Sequence, residues 1–237
     1  MRGEFRRYIV RDTRAEVPGV TTVSLSEEDG AVPPFSPGQY INVYFPETRT
    51  PEGKAYSVSS APGEPTFSIT VRAIGEFSNR LCAMRPGEAV SASLPYGFFC
   101  PERGDSDVAM LAAGIGVAPF RSIIRHAAAH LPSRRVSLFH SIRTWDDAIF
   151  REEFESLKKE LPNFSITYFV TRGAAPPESG ALPRRMTAKD ILAKISDAPS
   201  TEFLVCGSIP FTRDLWRDLR RAGVPEDQMY TEAFFSH

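Results

Sequence analysis

The pattern of apolar and polar positions changes character once along the chain. Through the first hundred residues, short alternating or apolar runs are divided by Gly and Pro, as in Gln39-Tyr40-Ile41-Asn42-Val43-Tyr44-Phe45 and Thr66-Phe67-Ser68-Ile69-Thr70-Val71-Arg72. A period of two residues sends successive side chains to opposite faces of a strand, so these runs predict an antiparallel sheet or small barrel. One short helix is expected over 79–84, with Ser78 as its N-cap and Pro86-Gly87 as its stop. From about Asp107 the rhythm lengthens. Buried-strand runs at 108–112, 136–140, 165–170, 202–206 and 228–234 alternate with helical patterns over 119–129, 147–160, 187–195 and 212–222. Repeated strand–helix units predict a parallel sheet covered on both faces.

The expected fold is therefore two-domain, an N-terminal antiparallel β-barrel over 1–103 and a C-terminal α/β domain over 107–237. The polar, Gly- and Pro-containing segment Pro101-Glu102-Arg103-Gly104-Asp105-Ser106 marks the boundary. A length of 237 residues allows either one large domain or two ordinary ones, and 42% hydrophobic with 24% charged residues excludes a disordered chain. A net charge of -1 supplies no reason to expect nucleic acid. No run approaches the roughly 18 apolar residues that cross a bilayer, and Met1-Arg2-Gly3-Glu4-Phe5 lacks the apolar stretch of a signal peptide, so a cytoplasmic protein without membrane insertion is expected. Cys82, Cys100 and Cys206 share no metal-ligand spacing. Neither a disulfide framework, a metal site nor an iron–sulfur cluster is expected.

Three segments hold residue types suited to cofactor chemistry. In Met110-Leu111-Ala112-Ala113-Gly114-Ile115-Gly116-Val117-Ala118-Pro119, two glycines separate a buried strand from a helix with proline in its first turn. Glycines there let the backbone approach a pyrophosphate, with the free N–H groups of the helix start facing the anion. An ordinary structural turn fits the same pattern. Lys54-Ala55-Tyr56-Ser57-Val58-Ser59-Ser60 offers a cation for phosphate, an aromatic ring for a flavin face and a hydroxyl for a ring nitrogen, or simply a half-buried strand. Gly75-Glu76-Phe77-Ser78 could hold a pyrophosphate at a helix start or be a plain serine cap.

The order of these segments, together with Pro95-Tyr96-Gly97-Phe98-Phe99 before the junction, Cys206-Gly207 and the late Glu232-Ala233-Phe234, resembles the ferredoxin-NADP reductase family over nearly the whole chain. The resemblance implies a flavin-binding barrel holding FAD rather than FMN and a C-terminal NAD(P)-binding domain. It further implies hydride transfer from NADPH or NADH to the flavin, and electrons passed to a separate carrier such as ferredoxin, flavodoxin or an oxygenase component. Reduction of free flavin as a substrate, and a non-catalytic nucleotide-binding subunit, are the alternatives.

Carried over by motif, Ser57, Cys206 and Glu232 form the catalytic set: Ser57 near the flavin N5, Cys206 against the nicotinamide, and Glu232 ordering the serine and aiding proton balance. Lys54, Tyr56, Val71, Gly75, Glu76, Phe77 and Ser78 fall to the flavin, and Gly114, Gly116, Val117, Ala118, Pro119 and Gly207 to the nicotinamide dinucleotide. Val170-Thr171-Arg172 looks like the V-S-R segment of NADPH-using members, so Arg143, Thr171 and Arg172, with Arg185, are expected to hold a 2′-phosphate, whereas Asp146 and Asp147 would favour the diol of NADH. The chain departs from the family in two places. Lys54 stands where arginine is usual, and Phe234-Phe235-Ser236-His237 offers no terminal tyrosine. Arg2, Arg6, Arg7, Arg11 and Arg14 could form a patch for an acidic carrier, or lie scattered on the surface.

Overall fold

The computed structural model describes residues 5–47, 50, 53–102, 104 and 106–234. Six antiparallel strands come first: β1 (Arg6–Val17), β2 (Val20–Ser26), β3 (Tyr40–Tyr44), β4 (Lys54–Ser57), β5 (Phe67–Arg72) and β6 (Ala89–Ala92), in the spatial order β4-β3-β6-β1-β2-β5. A bridge between Val58, just past β4, and Ile69 of β5 brings the two edges of this sheet together and curls it into a barrel. The alternation read in the sequence is the one observed. Ile41 and Val43 of β3 point inward with Tyr8, Val10, Val23, Leu25, Phe67 and Ile69, and each buried aliphatic or aromatic side chain contributes on the order of 2 kcal/mol to the barrel core.

Helix α1 (Glu76–Cys82) closes one side of the barrel with Phe77 and Leu81. It starts three residues earlier than expected, with Gly75 as N-cap. Ser78 stands inside the first turn, and its hydroxyl accepts from the N–H groups of Ile74 (2.9 Å) and Gly75 (3.1 Å). Serine satisfies the free donors of the helix start from within rather than from in front.

The second sheet is wholly parallel, with β7 (Asp107–Ala113), β8 (Val136–Ile142), β9 (Phe164–Val170), β10 (Thr201–Ser208) and β11 (Met229–Phe234) in the order β11-β10-β7-β8-β9. Two cores lie on its opposite faces. One gathers β-strand side chains against α2 (Ala118–His130) and α3 (Arg151–Glu160), the other against α4 (Ala188–Leu192) and α5 (Ile209–Arg221). Among the described residues no helix is long and apolar enough to cross a membrane.

The helix expected over 147–160 is interrupted. Thr144 and Asp147 close a short 3-10 turn through the Asp147 carboxylate, which accepts from the Thr144 N–H (3.0 Å) and hydroxyl (2.9 Å), and α3 begins only at Arg151. Between them the buried Phe150 adopts φ 59, the left-handed region, which stops the helix from running through. Strand order reverses between β7 and β10, and a crevice outside the carboxyl ends of strands at such a reversal is where open α/β sheets receive ligands. The barrel leans on this sheet through Val17 and Val20, which join its core, and through Phe99, whose ring packs 5.7 Å from that of Phe120.

Candidate active site

The short strand β4 pairs with β3 in the register Ser57↔Tyr40, Tyr56↔Ile41 and Lys54↔Val43. Alternation puts Lys54 and Tyr56 on one face and Ser57 on the other. The Tyr56 ring stacks on Phe77 (6.3 Å, 21°), and Phe77 is itself buried against Phe45 (4.9 Å), so a layer of rings fixes the tyrosine from below. The Lys54 ammonium lies 5.8 Å from the Phe77 ring. In the Gly75–Ser78 segment, therefore, Phe77 faces the core and the Ser78 hydroxyl is engaged in the helix start, leaving the backbone of Gly75 and Glu76 outermost; a side chain added at Gly75 would meet nothing within 4 Å. Val71 is buried in β5, and its carbonyl accepts from the Cys82 thiol at 3.6 Å.

Ser57 is buried, and its hydroxyl donates to Glu232 Oε2 at 3.4 Å across the junction of the two sheets. Parallel pairing places Glu232 of β11 beside Cys206 of β10. Burial raises the Glu232 carboxyl to about 7, with the Ser57 hydrogen bond pulling the other way. Burial, helped by the Glu232 charge, also pushes the Cys206 thiol well above its usual range. Cys206 is therefore a neutral packing surface, while Glu232 can hold or release a proton near neutrality.

The turn after β7 runs through a 3-10 segment, Gly114–Val117, into α2, with Val117, Ala118 and Pro119 buried or nearly so at the helix start. Its glycines have different reasons. Gly114 has φ +52 and open space where a Cβ would stand. A Cβ on Gly116 would lie 2.3 Å from the Cys206 carbonyl oxygen, and one on Gly207 would lie 2.9 Å from the Ala113 Cβ. Gly116 and Gly207 thus draw the ends of β7 and β10 together, while Gly114 opens outward.

Beneath this turn His140 of β8 is fully buried, with Nε2 at 3.1 Å from the Gly114 carbonyl. A carbonyl can only accept, so Nε2 carries the proton and the ring is neutral; burial lowers its pKa to about 4. Arg72, at the end of β5, is near enough for its charge to press in the same direction. Neither residue stood out in the sequence. A histidine at the end of an otherwise apolar strand and an arginine ending a barrel strand were the available signals, but only tertiary placement brings both to the glycine turn.

At the ends of β8 and β9 the Thr171 N–H and hydroxyl both donate to the Ile142 carbonyl (2.9 and 3.0 Å), and the Arg172 N–H donates to that of Arg143 (2.7 Å). This lacing sets the exposed Arg143 and Arg172 side by side, and no carboxylate among the described residues pairs with either. Asp147 is committed to Thr144, and Arg184 to Asp190 at 2.6 Å. The amino-terminal arginines do not form an open basic patch. Arg6 pairs with Glu27 (2.9 Å), Arg7 with Glu28 (2.7 Å) and Arg14 with Glu16 (2.7 Å), and Arg11 donates to Ser26 and to the carbonyls of Glu27 and Glu28. Phe234 packs on the core of the second sheet; Arg2, Arg103, Asp105 and Phe235 lie outside the described residues.

A family model for the oxidoreductase NAD-binding domain matches residues 110–216. A ferredoxin–NADP reductase B from Sorangium cellulosum is 28% identical over 229 residues, covering 92% of each chain. A flavohemoprotein from Bordetella pertussis is 28% identical over 242 residues, covering 95% of this chain, which spans only 59% of that relative's length. Among solved structures, a ferredoxin NADP+ reductase from Neisseria gonorrhoeae with bound FAD and NADP superposes with a TM-score of 0.82 at 25% identity, over 98% of this chain and 99% of that one. With the barrel, the parallel sheet and the motifs that meet at their junction, these likenesses support a flavin and NAD(P) oxidoreductase similar to the ferredoxin-NADP reductases.

Proposed function

We propose that this protein is an NAD(P)H-dependent flavoprotein reductase whose hydride transfer takes place where Ser57, Cys206 and Glu232 converge. The observation that carries the reading is the Ser57–Glu232 contact at 3.4 Å, made by residues from different sheets and lying beside Cys206 in register. The flavin-binding unit is taken as 1–103 and the nucleotide-binding unit as 107–237.

The residues present fit a flavin. Tyr56 offers a ring held by Phe77, Lys54 offers a cation on the same face, and the open backbone at Gly75 leaves room for a phosphate close to the chain. They fit a nicotinamide dinucleotide as well, since Gly114 opens outward at the strand reversal and Arg72 stands near the turn. FAD is the flavin proposed, in keeping with the FAD in the Neisseria reductase. A bound flavin supplies hydride acceptance at N5 and the capacity to release electrons one at a time. The protein's own part is alignment and proton balance. Ser57 and Cys206 shape the two walls of the site, and Glu232 stores a proton where its burial has set it near neutral pH.

Arg143 and Arg172 favour NADPH, because two neighbouring guanidinium groups without a carboxylate partner among the described residues suit a 2′-phosphate better than a ribose diol. The acceptor is proposed to be a redox protein such as a ferredoxin, flavodoxin or oxygenase component, supported by the name of the Sorangium relative. Free thiols at Cys82, Cys100 and Cys206 suit a reducing compartment, which supports a cytoplasmic setting.

Anaerobic titration of the purified protein with NADH and NADPH in turn tests the reading. Bleaching of a tightly bound flavin, faster with NADPH, is expected. Ser57→Ala should slow that bleaching and leave flavin content intact. A colourless protein that reduces only added flavin would shift the assignment to a free-flavin reductase, and a colourless, inert one to a nucleotide-binding subunit.

A further inference from the structure

Arg121 is absent from the set of residues assigned to either cofactor, yet its side chain ties the two halves together at the junction. It is the fourth residue of α2, in the first turn after the glycine segment, and its side chain is only 12% exposed. Its Nε donates to Glu153 Oε2 at 2.8 Å, and the guanidinium lies 5.5 Å from the Phe150 ring. Both partners belong to the same half of the molecule. Its Nη1 reaches the other half, donating to the Ser59 carbonyl at 2.8 Å and lying 3.4 Å from the Glu64 carboxylate. Burial works against the charge, and Glu153 and Glu64 more than offset it. Arg125 lies against both carboxylates, 3.5 Å from Glu64 and 3.6 Å from Glu153.

The receiving end is rigid. Ser59 and Ser60 are fully buried; the Ser59 hydroxyl meets the hydroxyls of Ser68 (3.3 Å) and Thr70 (2.9 Å), and the Ser60 hydroxyl accepts from the Ser68 N–H at 2.9 Å. A displaced Ser59 carbonyl would therefore carry the end of β4, two residues away, with it. The Ser57–Glu232 bond is too long at 3.4 Å, and ends on an edge strand, to set that position alone.

We propose that Arg121 is a positioning residue that sets the gap between the Ser57 strand and the Gly114–Val117 turn by gripping the Ser59 carbonyl. The path is short and stiff at every step: glycine turn, first turn of α2, planar guanidinium, Ser59, Ser57. Glu153 aims the fork and Ser59 with Glu64 receives it, a division that a lysine cannot reproduce with a single point charge. This inference rests on the reading of the junction as the hydride-transfer site.

The test uses the flavin-loaded protein and Arg121→Lys, which keeps a cation between the two carboxylates and so preserves folding. Three quantities are read: flavin content, the rate of flavin reduction at saturating NADPH by stopped flow, and amide hydrogen exchange over 58–64 without nucleotide. Flavin content should hold. The saturated rate should fall by about 10- to 100-fold, the scale expected when reacting groups are misplaced by about 1 Å, with a much smaller change in KM. Exchange over 58–64 should quicken, and Arg121→Met should exaggerate both effects. A lysine variant with wild-type rate and wild-type exchange, whatever its melting temperature, would overturn the proposal. So would faster exchange at an unchanged rate, since the arginine would then be a structural tie alone. If the wild-type flavin is not bleached by either nucleotide, the hydride-transfer reading fails on its own account and takes the kinetic claim with it.

Discussion

The half-buried Glu232 and the fully buried His140 respond to pH in opposite senses. Glu232 has its carboxyl raised from 4.5 to about 7 by burial. Between those values the folded protein holds a proton that the unfolded chain has released, so the contribution is fully present below the unfolded pKa and is lost as pH rises through about 7. Saturated flavin reduction should show a limb with a midpoint near 7, and Glu232→Gln, fixed as a neutral amide, should remove that limb in stopped-flow rates measured from pH 5.5 to 8.5. A limb that persists in the variant would assign it to another group. His140 behaves conversely. Its pKa is lowered from 6.5 to about 4, so its contribution is present above the unfolded pKa and is lost as pH falls toward about 4, by up to about 3 kcal/mol. His140→Gln can still donate to the Gly114 carbonyl but cannot titrate. Glu232 gains stability over nearly the same range, so the test is the difference between the two proteins: from pH 6.5 to 4 the wild-type urea midpoint should lose ground relative to that of His140→Gln. A motif marks each of Ser57, Cys206 and Glu232 in the sequence, and the structure brings the three together. His140, Arg72 and Arg121 were not legible there, because each acts through a partner distant in sequence: Gly114 for His140, Ser59 for Arg121, and His140 for Arg72.

At the scale of elements, the glycine turn separates two effects that the sequence pattern merges. G-x-G before a helix reads as close approach to a pyrophosphate. Only Gly114 opens to where a ligand could come; Gly116 is small because the Cys206 carbonyl is in the way. Gly116→Ala has to push backbone from backbone and should destabilise the fold by about 1–3 kcal/mol. Gly114→Ala meets no atom and should cost only the strain of φ +52, about 1 kcal/mol. Denaturant unfolding of both variants checks the order, and an equal loss would mean that the turn relaxes around either side chain. The positions of β3, β5 and β7 to β11 were legible to within a few residues because burial on one face or two imposes its period on the sequence, whereas β1, β2 and β6 were not read individually. Helix starts were less legible. Ser78 and Asp147 are polar residues that stop free N–H groups from within or close a turn of their own, and composition does not distinguish those positions from an N-cap.

For the whole molecule the question is whether two sheets that could fold apart behave as one body. The change of rhythm near Asp107 made two units legible, but nothing in a pattern of apolar positions states how firmly they are joined. Besides the Ser57–Glu232 bond and the Arg125–Glu64 pair, three features among the described residues join them. Val17, Val20 and Phe99 pack on the second core, Arg121 grips Ser59, and Glu202 at the start of β10 anchors the connecting segment. The Glu202 carboxylate is fully buried and accepts from the Glu102 N–H at 2.9 Å and the Ser106 hydroxyl at 2.5 Å. Removing a buried acceptor leaves its donors unsatisfied at about 1–3 kcal/mol each, so Glu202→Ala should quicken amide hydrogen exchange at Glu102 well before either sheet melts. Glu202→Gln keeps one carbonyl oxygen and should exchange there at an intermediate rate. The apolar contacts and Arg121 remain in both variants, so calorimetry should still show one cooperative transition, and only the combination with Arg121→Lys should split it in two. A split in Glu202→Ala alone would mean that the connecting segment, rather than the packed junction, makes the two halves one body.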